Sequence, residues 1–301
     1  MENSSHTTLV ILAAGMSSRF GRLKQLEPVG PNGETLLEFT IYDAMKAGVR
    51  TVILVIREEI EDKMKSYFLS KKFEQLSVKF VIQPNPKNRD KPYGTAHAIL
   101  SVKDHVDGNF IVANADDYYG REAFLYAEYF FLNNTITNTY AMVPYVLNET
   151  LSENGTVNRG ICKIDQHRIL QNIEERNSVQ MNENGISSNT PNIGKKREDN
   201  DALVSMNLWA LRPSIFPIVE TAFAEFLSNY EDHQVIEFQF PTIINQLIKE
   251  NKISVVVLEK GKNWFGFTYP QEKESVQSKL KEKAELGEYP TPLFKSHFEN
   301  K

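Results

Sequence analysis

The string Leu12-Ala13-Ala14-Gly15-Met16-Ser17-Ser18-Arg19, continuing to Lys24-Gln25, closes an apolar run that begins at Leu9. Small residues after a buried strand let backbone N–H groups come close to a chain of phosphates, which larger side chains would prevent. Arg19 and Lys24 place positive charge beside those amides: the arginine fork grips two phosphate oxygens at once, and the lysine acts as a point charge. The spacing is neither G-x-G-x-x-G nor G-x-x-x-x-G-K-[ST], so the dinucleotide and P-loop fingerprints are absent. A second stretch, Phe110-Ile111-Val112-Ala113-Asn114-Ala115-Asp116-Asp117, ends a buried run in carboxylates. Hard oxygens of this kind suit Mg²⁺, which is usually held by one or two carboxylates plus substrate phosphates. A third, Pro92-Tyr93-Gly94-Thr95-Ala96-His97-Ala98, puts a glycine before a helical start, where close backbone approach and unpaired N–H groups coincide.

Positioning such residues takes a scaffold, and the hydrophobic pattern describes one. Buried strands are expected at Leu9–Ala14, Val49–Ile56, Val78–Ile82, Phe110–Ala113 and Tyr140–Leu147. Helical periods lie between them: Leu37, Ile41, Ala44 and Met45 with Gly48 as a C-terminal cap, then Glu58–Phe68, Thr95–Val102 and residues 121–132. This alternation implies an α/β fold of three layers, α/β/α, with a mainly parallel, Rossmann-like mixed sheet. Ligands of such sheets bind at the carboxyl ends of the strands, where the three stretches fall. Beyond residue 150, Gly160–Asp165 and Arg168–Ile173 are expected to pair as strands, and Leu203–Leu211 and Ile253–Leu258 to form later ones. Residues 177–201 lack periodicity and are expected as a mobile loop. The domain reading is 1–262, with a nucleotide-binding half at 1–150 and an acceptor-binding half at 151–262, followed by a C-terminal segment with a helix at 263–301.

Composition narrows the function. A net charge of −5 argues against a nucleic-acid partner. The single cysteine, Cys162, rules out an internal disulfide and a cysteine-based zinc cluster. The apolar run at residue 9 is too short for a signal peptide or a membrane span, and a cytoplasmic protein with no membrane partner is expected.

Residues 9–25 resemble the signature of the GT-A-like, Rossmann-related nucleotidyltransferases: L-A-A-G, two small residues, Arg, then Lys about five positions on. That family includes sugar-1-phosphate nucleotidyltransferases and cytidylyltransferases of alcohol phosphates. The resemblance implies nucleotide binding by Leu12, Ala13, Ala14, Gly15, Met16 and Ser17, by Gly94 and Thr95, and by Gln83 as a base contact. It implies catalysis by Arg19, Lys24 and Asp116, with Asp116 as the ligand of a Mg²⁺ cofactor and Asp117 either supporting it or solvated. For the acceptor it implies Gly160, Glu175 (or Glu174 one residue before) at the sugar hydroxyls, Arg176 at the sugar phosphate, and Asn207. One position departs: Lys262-Asn263-Trp264-Phe265-Gly266-Phe267-Thr268 resembles a W-x-D-x-G-T segment, and Gly266 stands where a second metal-binding Asp is expected.

The expected reaction is attack by an acceptor phosphate oxygen on the α-phosphorus of a nucleoside triphosphate. No general base is required, since that phosphate is already anionic. A sugar 1-phosphate is the first reading of the acceptor. CMP transfer to phosphocholine or another alcohol phosphate or phosphonate is the alternative, kept open by an aromatic tail able to cage a quaternary amine. A non-catalytic nucleotide-binding regulator, favoured by the glycine at 266, is the reading from another class.

Overall fold

In the computed structural model, residues 7–15, 23–71, 73, 76–86, 89, 91–190, 193–230 and 236–294 are described. The first half follows the alternation: β1 (Thr8–Leu12), α1 (Leu36–Ala47), β2 (Thr51–Ile56), α2 (Glu61–Leu69), β3 (Ser77–Ile82), α3 (Thr95–Leu100), β4 (Phe110–Asn114), the two-residue β5 (Asp117–Tyr118), α4 (Arg121–Asn133) and β6 (Thr139–Val146). Local signals set the ends of α1. Thr35 and Glu38 form a reciprocal capping box at its start, and Gly48, at φ 118°, closes it in a conformation that glycine adopts without strain.

β1 pairs in parallel with β2 on one side and β4 on the other, and β3 extends the sheet beyond β2. The chain therefore leaves β1 in one direction for β2 and β3 and returns to the other side for β4. This is a topological switch point, the place where open α/β sheets bind ligands. The register brings Leu12 opposite Asn114, so Ala13–Gly15 and Ala115–Asp117 emerge side by side. Alternate residues of β1 and β2 point to opposite layers. Leu9, Ile11, Val52 and Leu54 pack with Leu37 of α1, Met64 of α2 and Phe124 of α4, whereas Val10, Ile53 and Val55 pack with the layer of Ile99 from α3.

Residues beyond 150 extend the same sheet: β7 (Val157–Ile164), β8 (Leu170–Asn182), β9 (Gly185–Thr190), β10 (Gly194–Arg197), β11 (Leu203–Leu211), α5 (Ile215–Tyr230), α6 (Phe240–Lys249) and β12 (Ser254–Val257). β11 joins the halves. Its last residues run antiparallel to β4 and its first pair with β7, while β6 lies along it with a break in register between Ser205 and Trp209. Segment 177–201, expected as an irregular loop, instead contains the end of β8 and the antiparallel β9 and β10. Its Gly-Ile-Ser-Ser-Asn-Thr and Gly-Lys-Lys-Arg strands carry too few apolar residues for a period of two, so backbone pairing and polar contacts organise them. Among the described residues, no helix is long and apolar enough to cross a membrane.

The C-terminal segment returns to the first half. β13 (Phe265–Gly266) pairs antiparallel with β5, and α7 (Lys273–Glu285) leads to Tyr289, whose hydroxyl donates to Asp43 Oδ2 at 2.7 Å. Asp43 lies in α1, is 1% exposed, and has Arg121 3.4 Å from its other oxygen. Burial pushes its carboxyl up to about 6, against the opposing pull of Tyr289 and Arg121. The folded state therefore keeps the proton at pH values where the unfolded chain has lost it, and stability attributable to Asp43 falls as pH rises from about 4 to 6. Asp43→Asn should remove that component. Between pH 4.5 and 7 its unfolding free energy, from urea titrations, should fall by about 2 kcal/mol less than that of the unsubstituted chain.

Candidate active site

The carboxyl ends of β1 and β4, with the β7–β8 hairpin, β11 and β13, enclose a cleft of about 650 Å³, the size of a site for a nucleotide-sized ligand. Leu12, Ala14, Gly15, Lys24, Gln83, Gly94, Thr95, Asp116, Gly160, Glu175 and Asn207 all line it. Three expected residues, Met16, Ser17 and Arg19, lie outside the described residues. Two others are placed elsewhere. Ala13 is fully buried, with its N–H donating to Val55 O and its carbonyl accepting from Gln25 Nε2, so it supports the loop and does not face the cleft. Gln25 also donates to Gly15 O at 3.2 Å, which holds the glycine turn in place.

Arg176 is the second correction. Neighbours on a strand point to opposite faces. Glu175 opens onto the cleft, and Arg176 turns inward onto Glu198 (2.9 Å) and Glu174, with Ser188 also donating to Glu198. At 3% exposure it is a structural ion pair. Arg176→Gln should leave Glu198 with Ser188 and the more distant Lys196 (3.9 Å) and destabilise the fold by about 1–3 kcal/mol, read as a shift in the denaturation midpoint.

At the switch point Lys24 Nζ donates to Asp116 Oδ2 at 2.6 Å. Beside it Asp117, 7% exposed, accepts through Oδ2 from Asn114 Nδ2 at 2.8 Å, with Tyr119 Oη 3.2 Å away. Burial, and then the adjacent Asp116 charge, push the Asp117 carboxyl well above the usual carboxylate range. Asp117 is thus a built part of the cleft and not a solvated turn residue. Gly266 explains its position. The strand register sets Gly266 against Asp117, and a Cβ on Gly266 would overlap Asp117 Oδ1. Asp117 fills the space that the expected second carboxylate would need, reaching it from the facing strand.

The opposite wall is shaped by backbone packing. Gly94 sits at φ 123°, and a Cβ there would lie 2.8 Å from Phe238 O. Its need for glycine comes from this close approach. The N–H of Ala96 at the start of α3 is taken by Phe238 O, and Thr95 Oγ1 accepts from Phe240 N. Gln83 Nε2 donates to Gly94 O at 3.0 Å and lies 3.2 Å from His97 Nδ1, leaving Gln83 Oε1 as the atom available to a ligand donor. Burial lowers His97 to about 4, so it is neutral at pH 7 and accepts from Gln83.

At the far end, Asn207 takes φ 60° within the irregular stretch of β11, which turns its side chain into the cleft. Gly160 faces Ile173, Glu175 and Ser205 closely enough that a Cβ would meet Ile173 Cγ2 at 2.6 Å. Burial raises the Glu175 carboxyl, and Arg159 opposes this. Arg159 and Trp264, to which the sequence reading assigned no role, also line this end. Their signal was absent because it lies in contacts between distant segments.

The MobA-like NTP transferase domain family matches residues 9–125. The matched segment includes Lys24, Gln83, Gly94, Asp116 and Asp117, whereas Gly160, Glu175 and Asn207 follow it in the chain. The bifunctional protein GlmU of Methanococcus vannielii is 30% identical over 112 residues, which are 36% of this chain and 24% of that protein, so the match spans about a quarter of the relative's length. The structure of a UDP-glucose pyrophosphorylase complexed with UDP-glucose is similar at TM-score 0.62 and 15% identity, over 91% of this chain and 98% of that one. The inositol-1-phosphate CTP transferase of T. maritima gives 0.60 and 14%, over 93% and 98%. A Bacillus anthracis protein named as a glucose-1-phosphate thymidylyltransferase gives 0.63 and 15%, over 91% and 95%. At these identities the likeness is one of fold, and it extends well beyond residues 9–125.

Proposed function

We propose that this chain transfers a nucleoside monophosphate from a nucleoside triphosphate to a sugar 1-phosphate and releases pyrophosphate. The observation that carries the reading is the Lys24–Asp116 pair at the carboxyl ends of β1 and β4, inside a cleft that continues to Glu175, Gly160 and Asn207. Two ligands laid end to end fit that arrangement, with the triphosphate over Gly15 and the acceptor toward β8. An acceptor phosphate oxygen forms a bond to the α-phosphorus as the bond to the bridging α–β oxygen breaks, and that electron pair leaves with pyrophosphate. Lys24 holds charge developing at the α-phosphate. Arg19, by the family resemblance, takes the charge of the leaving group. Glu175 and Asn207 accept and donate hydrogen bonds to acceptor hydroxyls. Positioning and electrostatics account for catalysis, and no side chain has to remove a proton.

The donor set fits a hard cation held by one or two carboxylates plus substrate phosphates: Asp116 and Asp117 offer oxygens to the cleft. Mg²⁺ would be held by Asp116 with Asp117 beside it, and when bound it neutralises triphosphate charge.

The fold neighbours named for UDP-glucose, inositol 1-phosphate and glucose 1-phosphate support a phosphorylated polyol acceptor. Of the aromatics in the C-terminal segment, Tyr289 packs against Phe39 and Tyr42 and Phe294 against Phe73, whereas Trp264 and Phe267 line the cleft, so phosphocholine belongs in the test. The test is a panel of ATP, CTP, GTP, UTP and dTTP, each with hexose 1-phosphates, inositol 1-phosphate and phosphocholine, read as pyrophosphate release. A hexose 1-phosphate should support release. Turnover with phosphocholine alone would overturn the acceptor assignment, and no turnover with any pair would leave a regulator.

A further inference from the structure

We propose that Arg159 holds the acceptor's phosphate, the role that family resemblance assigns to Arg176. This deepens the transfer reading and rests on it. A phosphate dianion needs a cation where it docks, and the described cations lining the cleft are Lys24, Lys91 and Arg159. Lys24 is engaged with Asp116 at the reaction centre, and Lys91 belongs to the wall of Pro92 and Gly94. Arg159 precedes Gly160, and its charge acts on both Asp117 and Glu175. An acceptor whose phosphate attacks beside Asp116 and whose hydroxyls reach Glu175 must place that phosphate between those carboxylates.

The guanidinium is held ready for it. Nε donates to Thr150 Oγ1 at 3.1 Å, one terminal nitrogen to Asn158 O at 2.8 Å, and the other to Thr150 O. The group lies 5.2 Å over the Trp264 ring. Arginine carries five N–H groups, so each terminal nitrogen keeps one beyond these bonds for a ligand oxygen. Trp264 is a second, independent pointer. It lines the cleft, is 8% exposed, and its Nε1–H has no hydrogen-bond partner among the described residues. Its Cζ2, two bonds from that nitrogen, is 3.2 Å from where a Gly266 Cβ would stand, the same point that Asp117 Oδ1 approaches, so the ring edge and Asp117 border the same part of the cleft. A ligand oxygen entering there satisfies the indole N–H. Arg176 does not line the cleft, and its charge is paired with Glu198 and Glu174.

The experiment is steady-state pyrophosphate release by the full chain, with the triphosphate and whichever of glucose, galactose or mannose 1-phosphate it accepts. Arg159→Gln is expected to raise KM for the sugar 1-phosphate by about 10- to 100-fold and leave KM for the triphosphate within about twofold. Arg159→Lys, which keeps the charge and loses the fork, should fall between. Arg176→Gln should leave both KM values near those of the unsubstituted chain. Parallel rises in both KM values, or an acceptor defect in Arg176→Gln and not in Arg159→Gln, would overturn the assignment. Because Arg159 is buried, melting curves accompany the kinetics. If Arg159→Gln does not fold, an unchanged acceptor KM in Arg159→Lys overturns it equally. An unsubstituted chain inactive with every sugar 1-phosphate defeats the transfer reading and Arg159's role with it, a result distinct from active variants with unaltered KM.

Discussion

Lys24→Ala and Asp116→Ala are each expected to slow pyrophosphate release by about 10²- to 10³-fold, the usual loss when one preorganised electrostatic contact to a developing charge is removed. The double variant should be slower than either single one, because Lys24 acts on the α-phosphate and Asp116 on the metal, although the 2.6 Å pair between them makes the losses less than additive. Stability should hardly change. The pair is partly exposed, at 11% and 36% for the two side chains, and such pairs contribute about 0–1 kcal/mol to folding. The combination of lost rate and preserved melting temperature separates this account from one in which Lys24 and Asp116 merely tie a loop to β4. Rates within about threefold of the unsubstituted chain, in either variant, would reject their assignment.

Gly266→Asp is expected to damage the proposed activity, although it installs the residue that the family segment carries there. The new Cβ would overlap Asp117 Oδ1 and lie 3.0 Å from Asp116 O, so β5 and β13 must separate. Overpacking of this kind costs about 1–3 kcal/mol. It would also bring a third carboxylate against two others in a buried site, and turnover should fall by about 10²-fold or more. The informative partner is Asp117→Ala. Combined with Gly266→Asp it removes the overlap and returns a single carboxylate to the opposite strand, so the double variant should recover part of the lost stability and rate. If Gly266→Asp alone melts and turns over like the unsubstituted chain, Asp117 does not occupy that space.

The two halves of the site differed in how much could be read in advance. Leu12, Gly15, Lys24 and Asp116 were legible because contiguous runs carry the signal: a buried strand, then small residues, then charge. The second half depends on parity and on distant contacts. Glu175 and Arg176 could not both face the cleft, since adjacent strand residues point apart. Which of them faced it was set by the Gly160 and Glu198 sides of the hairpin, which no local pattern announces. Segment 177–201 looked irregular because its strands are polar on both faces, so the alternation that marks a half-buried strand is missing. Gly94 was correctly singled out, but for its closeness to a ligand. The tight neighbour is Phe238 O, more than a hundred residues further along. The glycine at 266 looked like a lost ligand until its strand partner, Asp117, was seen to fill the gap.

The most direct test of the central claim is the fate of the phosphorus atoms, followed by ³¹P NMR during incubation with a triphosphate, Mg²⁺ and a hexose 1-phosphate. Transfer predicts that the α-phosphorus signal of the triphosphate and the monoester signal of the sugar phosphate disappear together. In their place should come two coupled diphosphate resonances and free pyrophosphate in equal amount. Orthophosphate or nucleoside monophosphate appearing while the sugar 1-phosphate signal stays unchanged would contradict it.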